Sequence, residues 1–216
     1  MKFHCLLFLF ILSAFLLKAQ DSLYVSAKGE KLSAFYLSLD VEHLWLRGYP
    51  IDWETGKPRK ENVYYEKGHS HCSAFVASAC KRLGIYILRP PAHIAKLLAN
   101  AQFDWLTTGY AIKDGWQMIS DSSLFSEYYT AQQYANEGKV VVAVYKNPDY
   151  SKPGHIAMVL PYKLGIKELN NQGPEIIQAG KENYHSAPLV IGFKNHLKNN
   201  NEKDIKFFYN KNQPAD

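Results

Sequence analysis

The spacing of apolar residues differs between the two halves of the chain. In the first half, apolar positions recur mainly at helical intervals. The stretch 21–46 predicts one or two helices, and 72–83 carries an apolar stripe that Gly84 ends. We interpret residues 85–135 as an insertion with helices of its own. The first part of the chain is therefore predicted to be mostly helical.

Short runs of β-branched and other apolar residues predict strands in the second half. They are 140–145 (VVVAVY), 155–162 (HIAMVLPY) and 173–180 (GPEIIQAG), with 193–197 and 205–210 as further candidates. Because short links join successive strands, we expect an antiparallel sheet. Helices followed by a sheet predict the α+β fold class.

A long segment between the first helices and residue 70 has no hydrophobic period. Residues 47–70 are rich in glycine, proline and charged side chains, which predicts an ordered loop rather than a helix or strand. Long loops in compact domains often carry function.

The first 19 residues have the pattern of a secretory signal peptide. Lys2 supplies positive charge, the run 5–17 is apolar, and Ala19 is a small residue for cleavage. That run is shorter than the roughly 20 residues that span a bilayer, and no other stretch could span one. We therefore expect an exported protein, periplasmic or extracellular and without stable membrane insertion, in which residues 20–216 form one monomeric domain.

The charge pattern argues against a nucleic-acid partner. The whole chain has 25 basic and 20 acidic residues, and two of the basic ones lie in the predicted signal peptide. The basic stretches near 57–60 and 194–211 are interrupted by asparagine, glutamate and proline, so they do not form the basic stripe typical of nucleic-acid binding. A mildly basic protein is suited to work beside an anionic surface.

Removal of the signal peptide leaves Cys72 and Cys80. Eight residues of helix separate their Cα atoms by about 12 Å, whereas disulfides need roughly 7 Å or less. We therefore predict that both are free, with Cys80 packed as a small apolar residue. Cys72 falls in the first turn of its helix, which we expect Ser70 to cap.

Cys72 is a candidate nucleophile. The backbone N–H groups and the dipole at a helix N-terminus favour an anion, so we expect the thiol to be biased toward thiolate. The N–H groups of Cys72 and Ser73 would also stabilise an oxyanion.

His155 is the candidate base, because it begins a predicted strand directly after a Pro153–Gly154 turn. We interpret His43, His93 and His196 as residues of helical or surface packing, whereas His69, His71 and His185 remain competitors for the role of base. A third polar group would orient the imidazole, and Gln178 near the end of the next strand is well placed, with Asn183 and His185 as alternatives.

The motifs HCSAFVASAC and GHIAMVLP resemble those of the NlpC-type cell-wall peptidases and the CHAP amidases, two papain-like families. The match rests on the helix-borne Cys72-Ser73-Ala74-Phe75-Val76 and on the strand-borne Gly154-His155-Ile156-Ala157-Met158. The resemblance implies a papain-like α+β fold, with the nucleophile helix packed on an antiparallel sheet, and Gln178 as the polar third residue. It also implies hydrolysis of an amide bond in the peptidoglycan stem, by an endopeptidase or amidase that needs no cofactor and no metal.

Other residues near Cys72 are candidates for binding the substrate. We predict this role for His71 and Ser73, which flank the nucleophile, and for Trp53 in the long loop. The segment 85–135 lengthens the spacing between the two motifs and would shape the groove.

Two other classes of function remain open. His69, His71 and Cys72 lie close together and are residue types that bind zinc. Alternatively, a wall- or glycan-binding protein could retain the hydrolase fold without catalysis. Whether Cys72 and His155 meet would discriminate between these hypotheses.

Overall fold

A computed structural model describes residues 22–60, 63–65, 68–94, 96, 98–197, 204–212 and 214. The predicted signal peptide lies outside these residues. The helices are α1 (Ala27–Leu37), α2 (Cys72–Arg82), α3 (Leu98–Leu106), α4 (Gly109–Lys113), α5 (Leu124–Asn136), α6 (Ile166–Gln172) and α7 (Leu189–Gly192). The strands are β1 (Trp116–Ile119), β2 (Val141–Tyr145), β3 (His155–Val159), β4 (Glu175–Gln178), β5 (Tyr184–Pro188) and β6 (Ile205–Asn210). The described chain is thus α+β, as predicted.

The six strands form one antiparallel sheet in the order β1-β6-β2-β3-β4-β5. Strands β2 to β5 are neighbours in both the chain and the sheet, which confirms the antiparallel arrangement expected from their short links. Strand β6 lies between β1 and β2. Residues of β2 and β3 are all buried, because helices cover both faces of the sheet at this point.

Alternate residues of β3 belong to two separate apolar clusters. Ile156 and Met158 pack in a cluster with α2, whereas Ala157 and Val159 pack in the cluster that contains buried residues of α5, α6 and α7. Because successive side chains of a strand point to opposite faces, His155 shares the face of Ala157. The first residue of β3 and the helix α2 therefore approach the end of the sheet from different sides.

Helix α2 begins at Cys72 and is buried through most of its length, which explains the apolar stripe in its sequence. Its N-cap is His71, which makes no side-chain capping hydrogen bond, so the prediction that Ser70 caps the helix is wrong. The helix ends at Arg82, and Gly84, which was predicted to stop it, follows two residues later with a φ of +71° that suits glycine and lets the chain reverse.

Several elements differ from the sequence prediction. In the described part of the stretch 21–46, one helix forms, α1, and turns follow it, which agrees with the expected one or two helices. The segment 85–135 contains helices, but it also supplies β1, which pairs with β6 in the main sheet. Residues 193–197 form turns after α7 rather than a strand. Strands β1 and β5 and helix α6 were not predicted, because these short elements lack a clear period or β-branched run.

In its described residues, the loop 47–70 has no helix or strand of its own. It is fixed to α2, since the Glu54 carbonyl accepts hydrogen bonds from Ser78 Oγ (2.5 Å) and Arg82 (2.9 Å). The ring of Trp45 packs edge-on against Phe75 of α2, with 5.3 Å between ring centroids. None of the described helices could span a bilayer, since the longest, α5, has 13 residues.

Candidate active site

Cys72 is the first residue of α2, and its side chain is buried. Neither Cys72 nor Cys80 forms a disulfide, as the helical spacing predicted. Cys80 lies deep in the core, where burial raises the pKa of its thiol to about 12. Its environment is that of a small apolar residue.

Hydrogen-bond donors face the sulfur of Cys72 from α2, from β3 and from the loop before α2. They are the backbone of Cys72 and Ser73 at the start of α2, the backbone of Ile156 in β3, and the side chain of Ser70. Each of them favours the thiolate and lowers the pKa. Burial has the larger effect, however, and the pKa of the Cys72 thiol is raised. The expected bias toward thiolate is therefore wrong for this structure, because loss of hydration outweighs the donors at the helix terminus.

His155 is buried at the first position of β3, and its Nε2 atom lies 2.8 Å from Oε1 of Gln178. The amide nitrogen of Gln178 donates to the Glu182 carbonyl at 3.2 Å, which turns its oxygen toward the imidazole. Because an amide oxygen only accepts, Nε2 of His155 carries the proton. In this tautomer Nδ1 is left as an acceptor, and it makes no hydrogen bond within the described part of the chain.

Two glycines leave room for the Gln178 amide. A Cβ atom at Gly192 would lie 2.7 Å from Gln178 Oε1, and one at Gly180 would lie 3.0 Å from its Nε2 and 3.5 Å from His155 Cε1. These separations are shorter than, or at the limit of, ordinary contact distances. Small residues at both positions thus allow the amide to sit beside the imidazole.

Aromatic rings enclose the His155 imidazole on the same face of the sheet. Phe193 packs edge-on at 4.6 Å between centroids, and His196 stacks at 4.9 Å with 9° between the ring planes. Burial, together with the charge that His196 can carry, lowers the pKa of His155 to about 3, although the bond to Gln178 opposes this. The imidazole is therefore neutral near pH 7.

The thiol of Cys72 reaches the backbone of β3 directly beside His155. Pairing between β3 and β4 covers Met158 and Val159 only, and the register of β4 shifts between Ile176 and Gln178. The beginning of β3 is thus open on this side, where the sulfur faces the Ile156 backbone. In the part of the chain that the structure describes, no hydrogen bond joins the thiol to the His155 ring. The two groups lie at the same end of the sheet as a neutral pair.

The other candidates for the third polar residue have different partners. Asn183 Nδ2 donates to the carbonyls of Val41 (2.6 Å) and Leu44 (3.0 Å), so it fixes the turn after α1. His185 forms an exposed ion pair with Glu42 at 2.8 Å. Of the three residues considered, Gln178 is the one in contact with His155.

A groove of about 450 Å³ begins at the residue before Cys72. It is lined by Gly48, Tyr49, Pro50, Tyr65, Gly68, His69 and His71. The ring of His71 is held by a 2.9 Å hydrogen bond between its Nε2 atom and the Tyr49 carbonyl, and burial lowers its pKa. His71 is therefore a neutral part of the groove wall.

The other two residues predicted to bind substrate pack against the protein. Ser73 is buried, and its carbonyl accepts a hydrogen bond from Gln102 Nε2 at 3.2 Å. Trp53 is half-buried against the core, with the Lys81 amine 5.4 Å from its ring centroid. Neither of these two lines the groove beside His71, and their role in binding stays a prediction.

The proposed zinc ligands do not assemble into a metal site. Within the described ranges, no three histidine, cysteine, aspartate or glutamate side chains are grouped so that they could hold a metal ion. His71 is bonded to a backbone carbonyl, and Cys72 faces backbone N–H groups instead of His69.

Sequence reasoning missed the residues that surround His155. Phe193 and His196 lie in the segment mistaken for a strand and for surface packing, and no motif marks them. Both come to the site because α7 places the turn that follows it beside β3. Such a contact depends on tertiary structure alone.

The neutral state of His155 predicts that acid destabilises the fold. Its pKa near 3 in the folded protein compares with about 6.5 in an unfolded chain. Between these values the unfolded chain binds one more proton, so the free energy of unfolding falls as the pH falls. The expected slope from this group is up to about 1.4 kcal/mol per pH unit. Urea unfolding between about pH 7 and about pH 4 measures it, and His155→Gln is expected to flatten it.

His43 provides a matched control for this measurement. It is exposed, and a hydrogen bond to Asp40 raises its pKa, so its stabilising effect is present at low pH and is lost as the pH rises. His43→Gln is therefore not expected to flatten the slope. An equal slope for wild type and His155→Gln would contradict the neutral assignment of His155.

Comparison of the sequence with known family models and with curated proteins finds no match. Function is therefore inferred from the arrangement of Cys72, His155 and Gln178 and from the groove beside them.

Proposed function

We propose that this protein is a cysteine hydrolase that cleaves amide bonds of peptidoglycan stem peptides, as an endopeptidase or an amidase. One observation carries the proposal. The imidazole of His155 is oriented by Gln178, at 2.8 Å, at the end of the sheet where the Cys72 sulfur meets β3. An acceptor nitrogen, an orienting amide and a thiol at a helix N-terminus are the parts that a papain-like hydrolase needs.

The Cys72 thiol and the His155 imidazole both begin neutral. In the first step, the thiol must therefore lose its proton as its sulfur attacks the substrate. As the Cys72 sulfur forms its bond to the substrate carbonyl carbon, the thiol proton passes through one water molecule to Nδ1 of His155, because the two groups approach this end of the sheet from different sides. The resulting imidazolium then gives that proton to the amine as the C–N bond breaks. Gln178 keeps Nε2 engaged throughout, so that Nδ1 stays the acceptor nitrogen.

The second step releases the acyl group from Cys72. A water molecule attacks the thioester while Nδ1 of His155 takes one of its protons, and that proton returns to the departing sulfur. The products are an amine and a carboxylic acid. This route uses only groups of the protein and water.

Backbone donors near the sulfur are suited to stabilise the oxyanion. The N–H groups of Cys72 and Ser73 at the start of α2 and of Ile156 in β3 face the Cys72 sulfur, next to which negative charge would develop on the substrate oxygen. Preorganised donors of this kind stabilise a tetrahedral intermediate without reorganisation during the reaction.

The groove beside His71 is suited to a peptide with small apolar side chains. Tyr49, Pro50 and Tyr65 give it apolar walls, and it leads to the residue before the nucleophile. Stem peptides are rich in alanine, which suits a shallow groove of this character. The resemblance to NlpC-type peptidases and CHAP amidases supports the same class of substrate, and the signal-like first residues support export to the periplasm or the outside of the cell.

The experiment is digestion of purified peptidoglycan by the mature protein, with Cys72→Ala alongside. Mass spectrometry of the released fragments is expected to show new amines with the wild type and none with the variant. The masses identify the bond as one within the peptide or one between muramic acid and alanine. If the wild type releases no fragments from walls of several chemistries, while its thiol still reacts with an alkylating agent, peptidoglycan is not the substrate.

A second candidate is a wall-binding protein without catalysis. The raised pKa of the Cys72 thiol, and the lack of a hydrogen bond between it and His155 within the described residues, favour this alternative. It predicts that the protein sediments with insoluble peptidoglycan, that its thiol is inert to alkylation, and that Cys72→Ala binds as well as the wild type.

A further inference from the structure

The stacked imidazoles of His155 and His196 form a pair that the proposed mechanism does not use. His196 lies in the turn after α7 and is partly exposed, whereas His155 is buried beneath it. The ring of His196 also lies 5.4 Å from that of Tyr145, the residue of β2 that pairs with His155. Rings from three elements thus meet at the first residue of β3.

Contacts on different sides of the His155 ring leave it little freedom to turn. Gln178 holds one ring nitrogen, Phe193 packs edge-on, and His196 covers a face with only 9° between the planes. Rotation about the bond between Cβ and the ring would break the hydrogen bond and the stacking together. The hydrogen bond to Gln178 alone would let the imidazole tilt about the axis of that hydrogen bond. The flat ring of His196, stacked on its face, prevents this tilt.

We propose that His196 is a positioning residue, which fixes the plane of the His155 imidazole and with it the direction of the Nδ1 atom. This inference rests on the proposed function of Cys72 and His155. His196 acts through His155 and need not touch the substrate. What it contributes is a flat ring against the face of the base.

A flat ring on this face also suits the charge that forms during turnover. When His155 becomes an imidazolium, a neutral aromatic face beside it is attractive to the cation. Burial lowers the pKa of His196, which favours the neutral ring. The ring of Tyr145 lies 5.4 Å from that of His196, and the amine of Lys194, two residues before His196, is paired with Glu182 at 2.8 Å.

The role of a flat ring is tested with three variants. His196→Phe keeps the ring, His196→Leu keeps most of the volume without a flat face, and His196→Ala removes both. Loss of ring alignment is expected to lower kcat about 10-fold or more in the leucine and alanine variants, with KM within about twofold, while the phenylalanine variant stays within about threefold of wild type. Thermal unfolding of each variant checks that the protein is folded.

A second measurement does not depend on the identity of the substrate. The rate at which iodoacetamide alkylates Cys72 reports how well the base reaches the thiol, and it is expected to follow the same order, with wild type and His196→Phe fast and the other two slow. Cys72→Ala gives the background from Cys80. If the wild type cleaves no wall but this order holds, the proposed substrate is wrong and the positioning role stands. Equal alkylation rates, or His196→Phe as slow as His196→Leu, would overturn the role.

Discussion

Replacing Cys72 with alanine is expected to lower kcat/KM for wall hydrolysis by at least about 100-fold, and His155→Gln is expected to do the same. The double variant is expected to be no slower than the slower of the two single variants. The physical reason is that thiol and imidazole act as a unit, so removal of either abolishes the same step. Release of amines from purified peptidoglycan, measured at several protein concentrations, gives the three rates.

Non-additivity is informative here because the two groups make no direct hydrogen bond within the described residues. If they worked separately, the two losses would multiply in the double variant. His43→Gln is a matched control that is expected to keep wild-type activity, since it changes an exposed imidazole whose hydrogen-bond partner is Asp40. Multiplicative losses in the double variant, or a His155→Gln variant as active as wild type, would show that His155 is not the base for Cys72.

Phe75→Ala is expected to lower the free energy of unfolding by about 3–5 kcal/mol. The ring of Phe75 is fully buried on α2 and packs edge-on against Trp45 at 5.3 Å, so its loss leaves a cavity between the helix and the loop after α1. For a domain of this size the thermal midpoint is expected to fall by roughly 6–20 °C. Urea unfolding and calorimetry measure both quantities.

A surface tyrosine supplies the control for this prediction. Tyr110 is 72% exposed on α4, and Tyr110→Ala is expected to change the free energy of unfolding by no more than about 0.5 kcal/mol. A loss below about 1 kcal/mol in Phe75→Ala would mean that the contact with Trp45 does not hold α2 in place. Because α2 carries Cys72, the same variant is also expected to lose activity well below its unfolding midpoint.

The sequence was most informative where local pattern and tertiary structure agree. Helix α2 has a continuous apolar stripe and a glycine at its end, and β2 and β3 have β-branched runs of strand length, so their positions were predicted closely. The pairing of Gln178 with His155 follows from the same logic, because neighbouring antiparallel strands bring the end of one beside the start of the other.

Features that depend on contacts between distant segments could not be predicted. The spacing of residues does not reveal how deeply a side chain is buried, and burial decides that Cys72 and His155 are both neutral. The sequence likewise gives no sign that the turn after α7 folds over β3 and stacks His196 on His155. Strand β1 was missed because its four residues have no clear strand pattern in the sequence. They form a strand through their pairing with β6.

The place of β6 inside the sheet affects the order in which this molecule can become compact. Strands β2 to β5 pair with neighbours in the chain, which closes short loops, whereas β1 pairs with β6 across the intervening residues 120–204. When a chain emerges N-terminus first, as from a ribosome, one side of β2 stays unpaired until residues 205–210 have also emerged. Late assembly of this kind makes β6 the strand on which completion of folding waits.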